Sequence, residues 1–254
     1  MSNEEENMLA DELTPVLEGG ATQIEVPLDA EEIIKFRTYA ELLRERNKVM
    51  NLTNIVDDKG IAMRHFVDSL TIVPYIREEQ KKKGKEDLTL VDVGTGAGFP
   101  GIPIKVKMPK IKLILMDSLQ KRIGFLEDVC NELELKGVTT VHTRAEDAGR
   151  NKKYREKYDI ATARAVASLP VLCEYCLPFV KVGGIFLAMK GHAEEELKDA
   201  KKAIALLGGT IEKTDEFVLP GTDMNRSVIV IRKVRPTPPQ YPRQAGKPSK
   251  TPIS

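Results

Sequence analysis

Gly94, Gly96 and Gly98 alternate with other residues directly after the apolar run LVDV, and Asp117 closes a second apolar run, KLILMD. A turn this bare permits positive φ and lets a ligand lie against the main chain with no Cβ in the way. An ionised carboxylate at the end of the neighbouring strand is acceptor-only and suits two adjacent sugar hydroxyls. The dinucleotide fingerprint G-x-G-x-x-G requires a glycine at position 99, which is Phe99 here. The bland alternative is a tight strand-to-helix turn that holds nothing. Other residues invite chemistry less strongly. His65 and Asp68 stand one helical turn apart, as a catalytic pair or as a polar contact fastening two parts of the fold, and the second reading is preferred. Cys173 and Cys176 are three apart in an apolar helix, without the second pair that a four-ligand zinc site needs, and read as packed core cysteines. His142 and His192 are isolated in the sequence and are assigned no metal.

The elements that must place these residues follow from periodicity. Asp29 and Glu32 form a capping-box pattern ahead of Ile33, Phe36, Ala40 and Leu43 at helical spacing. A second helix contains MRHFVDSLTIVPYI and closes near Pro74. From Leu88 short apolar runs alternate with amphipathic ones: LTLVDVG, KLILMD, VTTVHTR, YDIATARA and GGIFLAMKG read as strands with helices between them. TIEKTDEFVLP and SVIVIRKV would close the sheet as an antiparallel pair. Alternating βα units predict an α/β fold with a mostly parallel sheet, helices on both faces and ligands at the strands' C-terminal ends.

With 254 residues, 41% hydrophobic and 30% charged, the chain can bury a sizeable core. No apolar run approaches the ~18 residues of a membrane span. The acidic start MSNEEENMLADEL is unlike a targeting peptide, and three cysteines suit a reducing compartment, so a cytoplasmic protein is expected. The net charge of +1 conceals an asymmetry. Acids occupy Glu4 to Glu18 without a base, whereas Arg226, Arg232, Lys233, Arg235, Arg243, Lys247 and Lys250 follow one another without an acid. Such a basic end suits phosphate, and its prolines predict an extended segment with little regular structure.

Several unusual blocks carry a more specific likeness: NKVMNLTNI, RHFVDSL, DVGTGAGFPGIPIK, DSLQKRIGFL, TRAED, ARAVASL, MKG and YPRQAGKP. In this order, over residues 30 to 250, they resemble the small-subunit ribosomal RNA methyltransferase G family, also called glucose-inhibited division protein B. The G-x-G-x-G turn is itself similar to that of S-adenosylmethionine-dependent methyltransferases. The resemblance implies a Rossmann-like class I methyltransferase with a seven-stranded sheet, acting on guanine N7 in the decoding-region loop of bacterial 16S rRNA. It implies that Gly94 and Phe99, within the turn of Gly94, Gly96 and Gly98, line the methionine and sulfonium side of the cofactor. Asp117, Ser118 and Leu119 would meet ribose and adenine, and Ala145 and Glu146 the adenine edge. Arg164 would touch the cofactor where the acceptor arrives. The expected division is a flexible acidic lead-in over 1–28, an N-terminal helical cap over 29–87, the methyltransferase domain over 88–235 and a basic, proline-rich tail over 236–254.

The fourth strand bears on the acceptor atom. Exocyclic-amine methyltransferases carry an Asn or Asp followed by Pro-Pro and an aromatic, whereas this strand reads ATARAVASLP. Guanine N7 already offers an in-plane lone pair, so no proton must leave and no base is required. Alignment and electrostatic support then carry the reaction. Arg164 and Lys190 are expected to orient the RNA through phosphate or guanine O6. Further RNA contacts are expected among Arg64, Lys121, Arg122, Arg226, Arg243 and Lys247, with salt-sensitive binding. The partner is 16S rRNA, the small ribosomal subunit or an assembly intermediate, with a monomer as the default. An oxidoreductase and a noncatalytic ribosome-binding factor are the competing classes; Phe99 weighs against the first, and the second predicts no affinity for S-adenosylmethionine.

Overall fold

A computed structural model of the protein describes residues 12–191 and 193–253. Most of the acidic stretch at the start of the chain, and His192, lie outside the described residues.

The N-terminal part is helical. Its first helix, α1 (Leu13–Gln23), falls where a loose lead-in was expected. Leu13, Leu17, Gly20 and Ala21 are buried there, and small residues let α1 approach closely: a Cβ on Gly20 would stand 2.8 Å from both Met63 Cε and Val67 Cγ2. Helix α2 (Ala30–Met50) starts at the expected capping box, with Glu32 N–H donating to Asp29 Oδ1 and Asp29 N–H to Glu32 Oε2, both at 2.9 Å. Ile33, Phe36, Tyr39, Ala40 and Leu43 form its buried stripe. The next helical segment is broken into α3 (Asp58–Gly60), a π-helical stretch (Ile61–Val67) and α4 (Asp68–Leu70). Pro74 does not close it but sits in the first turn of α5 (Val73–Lys83), where a missing N–H costs nothing.

Seven strands form one sheet in the order β3-β2-β1-β4-β5-β7-β6. They are β1 (Thr89–Val93), β2 (Lys112–Asp117), β3 (Val138–His142), β4 (Tyr158–Arg164), β5 (Val180–Lys190), β6 (Gly209–Val218) and β7 (Asn225–Lys233). Strands β1 to β5 run parallel, and β7 is antiparallel to both β5 and β6, as expected. The intervening helices are α6 (Gly101–Lys107), α7 (Gln120–Glu132), α8 (Ala145–Arg150), α9 (Leu169–Cys176) and α10 (Glu194–Leu206).

Strand alternation splits the core into two layers. Leu90, Leu113, Leu115, Ile160, Ile185, Leu187, Val228 and Val230 face the N-terminal helices together with α6 and α7. Val91, Val93, Met116, Ala161, Ala163, Phe186, Ala188, Ile229 and Ile231 face α9 and α10. The second layer also receives Ile253, so the expected extended tail is packed rather than free. It carries a short helix, α11 (Lys247–Lys250), with Thr237 and Pro248 buried. No helix among the described residues is long and apolar enough to cross a membrane.

The strand order reverses between β1 and β4, which places the glycine turn at the crevice where open α/β sheets bind ligands. Gly98 lies in the left-handed region with φ +102°, and a Cβ there would stand 2.5 Å from Tyr39 Oη and 2.6 Å from Ile102 Cδ1. Its glycine therefore serves packing of the N-terminal helices against the turn. Gly98→Ala combines an unfavourable φ with overpacking, and urea denaturation should show a loss of about 2–4 kcal/mol.

Candidate active site

The turn after β1 is braced from below and beside. Gly94 N–H and Thr95 N–H both donate to Met116 O, at 2.9 and 3.1 Å, which ties the turn to β2. Beneath it, Asp92 Oδ2 accepts from Thr95 Oγ1 at 2.6 Å and from Gly101 N–H at 2.9 Å. Asp92 is fully buried and its Oδ1 has no hydrogen-bond partner among the described residues, and burial pushes its carboxyl up to about 6. Gly94 and Gly96 have φ of +70° and +62°, which fixes both as left-handed turn residues.

Asp117 ends β2 beside this turn and is 3% exposed. Its Oδ2 accepts from Gly96 N–H at 3.0 Å and its Oδ1 from Leu119 N–H at 2.9 Å. Each oxygen retains acceptor capacity, so the carboxylate can still take two sugar hydroxyls. Arg122 Nη1 lies 3.3 Å from Oδ2, so this residue, expected on RNA, belongs at least in part to Asp117. A cavity of about 270 Å³ opens here, lined by Gly94, Asp117, Ser118, Ala145 and Glu146, with Val166 and Ala167 on its far side. These residues fit a nucleoside ligand: bare backbone at one end, a hydroxyl-accepting carboxylate and polar main chain at the other. Gly96, Gly98, Phe99 and Leu119 do not line it. Phe99 instead packs under the second cavity, stacked on His65 with centroids 4.5 Å apart and planes at 11°.

That second cavity, of about 340 Å³, gathers Arg64, His65, Asp68, Arg164, Lys190 and Arg226. Asp68, 3% exposed, is its organiser. Arg164 Nη1 donates to Asp68 Oδ2 and Arg226 Nε to Asp68 Oδ1, each at 2.8 Å. The Arg164 guanidinium also lies over the Phe99 ring, 5.1 Å from its centroid. Lys190 Nζ donates to Ala167 O and pairs with Glu196 Oε2, both at 2.9 Å. His65 Nε2 faces Thr53 Oγ1 at 2.9 Å. Burial, with Arg164 and Arg64 adding to it, lowers the His65 pKa to about 3, so the ring is neutral at physiological pH. His65 and Asp68 thus act separately, one stacked and one ion-paired.

The cavities meet at the end of β4, where Arg164 and Ala165 line one and Val166 and Ala167 the other. Ala165 has φ +54°, a left-handed conformation held by a residue with a Cβ. Val166 reaches back to the turn, within 2.9 Å of where a Cβ on Gly94 would stand.

Not every expected residue joins these cavities. Arg243 is gripped by the buried Glu174 through Nε at 2.9 Å and Nη2 at 2.6 Å, which takes it from the expected RNA set. Cys173 and Cys176 are fully buried, with burial raising both thiols. His142 Nε2 faces Ser118 O at 3.1 Å. Gly246 and Ser249, which sequence reasoning left out, line the first cavity. Gly246 falls within the block YPRQAGKP, but nothing in the local sequence says that this segment returns to the strand ends.

A family model described as rRNA small subunit methyltransferase G matches residues 32–225. The chain is 54% identical over 242 residues, 95% of its length and 97% of the relative's, to ribosomal RNA small subunit methyltransferase G of Acetivibrio thermocellus. It is 49% identical, over 95% of its length and 99% of the relative's, to the protein of that name from Alkaliphilus oremlandii. Among solved structures, NSun6 from Pyrococcus horikoshii shares the fold, with a TM-score of 0.50, 15% identity, and coverage of 64% of this chain and 52% of that one.

Protonating His65 has a stability consequence. The unfolded imidazole takes its proton near 6.5, the native one only near 3, so the native state loses stability as pH falls from about 6.5 towards 3. Thermal unfolding across that range should show a shallower decline for His65→Gln than for the parent protein.

Proposed function

This chain belongs to the rRNA small subunit methyltransferase G family, and on that premise we propose that its two cavities divide one methyl transfer between cofactor and acceptor. The protein is an enzyme that methylates 16S rRNA, the family's known target being N7 of guanine 527. S-adenosylmethionine, when bound, supplies an electrophilic methyl group on a sulfonium. The cavity beside Gly94 and Asp117 is assigned to it, with Asp117 accepting the ribose hydroxyls and Ser118, Ala145 and Glu146 around the adenine. S-adenosylhomocysteine is then the product left there.

The cavity of Arg64, Arg164, Lys190 and Arg226 is assigned to the RNA. Arg164 and Arg226 share the Asp68 carboxylate and Lys190 pairs with Glu196, so with Arg64 the four cations still outnumber the carboxylates that meet them and leave a positive surface for phosphate or guanine O6. Arg164 and Lys190 orient the guanine so that N7 points towards the first cavity, and Asp68 holds the Arg164 and Arg226 guanidinium groups in place. Phe99, below Arg164, supports that arrangement rather than forming a wall of the first cavity. N7 needs no deprotonation, and the residues agree with this: His65 is neutral and stacked, and Asp68 is ion-paired. The observation that carries the assignment is the junction at Arg164 to Ala167, which gives the two cavities one shared wall. The substrate is cytoplasmic, as free 16S rRNA or within a small subunit or its assembly intermediate.

Incubation with labelled S-adenosylmethionine and undermethylated small subunits or their RNA, followed by mapping of the modified nucleotide, is the direct test. Label at the decoding-loop guanine is expected, and label elsewhere or none at all contradicts the assignment. Arg164→Gln should lower kcat/KM by ~100-fold, the scale of losing one preorganised donor. Unchanged methylation and unchanged cofactor binding in that variant would remove Arg164 from the site.

A further inference from the structure

The cofactor cavity has a wall that neither the glycine turn nor the strand ends provide. Gly246 and Ser249 line it beside Asp117, Ser118 and Glu146. The segment that brings them is tied down along its length. Arg155 donates to Thr237 O at 2.6 Å and to Tyr241 O at 2.7 Å, and Arg150 Nε donates to Pro242 O at 2.7 Å. Pro242 lies so close to α8 that a Cβ on Gly149 would stand 2.9 Å from its Cγ. Arg243 then closes on Glu174 with its main-chain N–H at 2.7 Å as well as its guanidinium, around a carboxylate that is 1% exposed. Three residues on, Gly246 has φ +83° and donates its N–H to Glu146 Oε1 at 2.9 Å.

We propose that residues 241–250 form a built wall of the cofactor pocket, and that Arg243 is the positioning residue that sets it against the adenosine-bearing end of S-adenosylmethionine. This rests on the reading of that cavity as the cofactor site. Two features distinguish the wall from a solubilising tail. Arg243 spends its donors on a buried carboxylate instead of on solvent or phosphate, and a planar two-pronged grip of this kind fixes orientation as well as position. Glu146 spends one oxygen on the segment, so it shapes the pocket partly through Gly246. Preorganising a wall lowers the ordering cost of binding, which is how a residue that does not touch the ligand raises affinity. Lys247 and Lys250 are exposed, so they remain available to RNA while Gly246 and Ser249 line the cavity.

Calorimetric titration of S-adenosylhomocysteine into the full chain and into Arg243→Ala tests this. The variant should bind roughly tenfold or more weakly, because it loses preorganisation of the wall. Arg243→Lys, which keeps the charge but loses the planar grip, should fall between the two. Hydrogen exchange on the unaltered protein supplies a second readout that does not depend on a variant folding: saturation with S-adenosylhomocysteine should slow exchange in peptides covering 241–250. Equal affinity in Arg243→Ala, or exchange in those peptides that ignores the ligand, overturns the wall. Failure of the unaltered protein to bind S-adenosylhomocysteine overturns the cofactor assignment itself along with it.

Discussion

The Asp68 carboxylate is the joint on which the active face depends. It is buried, and it holds Arg164 from the end of β4 and Arg226 from the start of β7 at 2.8 Å each. A buried carboxylate is tolerable only if it is paired and hydrogen-bonded, and here both oxygens are satisfied by guanidinium groups from strands separated in sequence. The pairing pulls the N-terminal helices over the C-terminal edge of the sheet. Tyr39, which donates to Ala97 O within the glycine turn, and Phe99, stacked beneath His65, complete the same seam. The helical cap is thus structurally continuous with both cavities.

That seam explains how a site can work without an obvious general base. The side chains around Asp68 are committed to positions: a neutral, stacked imidazole, an ion-paired carboxylate and, in Arg164, Lys190 and Arg226, cations with defined partners. A reaction at an atom that already has an available lone pair needs this kind of fixed charge more than it needs proton transfer. Ala165 adds a constraint of a different sort. Its left-handed backbone turns the chain between the two cavities, directly after Arg164, which the Asp68 carboxylate holds.

Legibility in the sequence followed the range of the interactions. The strands were readable because alternation is local, and the start of α2 because Asp29 and Glu32 are three residues apart. Asp117 was placed correctly at the end of β2 because strand ends in this architecture have a fixed relation to the glycine turn. Helix α1 was missed because its buried stripe, Leu13, Leu17, Gly20 and Ala21, is short and half of it is glycine and alanine. The packed tail was missed because Arg150, Arg155 and Glu174 act on it from far away, and a proline-rich composition points towards solvent when read locally. Gly98 and Phe99 were noticed, but their reasons were not legible: the first makes room for Tyr39 and the second carries His65 and Arg164.

The π-helical stretch at Ile61–Val67 has an implication for how this family of sequences can change length. A π-turn contains one more residue than the α-turn it replaces, so removing a single residue anywhere in that stretch offers it an easy return to ordinary α geometry. The wide turn takes up its extra residue locally, so that removal leaves Asp68 facing the seam, whereas a residue removed from the α-helical turns beside it would swing Asp68 off the seam by about 100°. Two strands fixed by their own ladders would then present guanidinium groups to empty space. Spacing on either side of this stretch is consequently dictated from across the molecule, and the wide turn is where a single residue of slack is held.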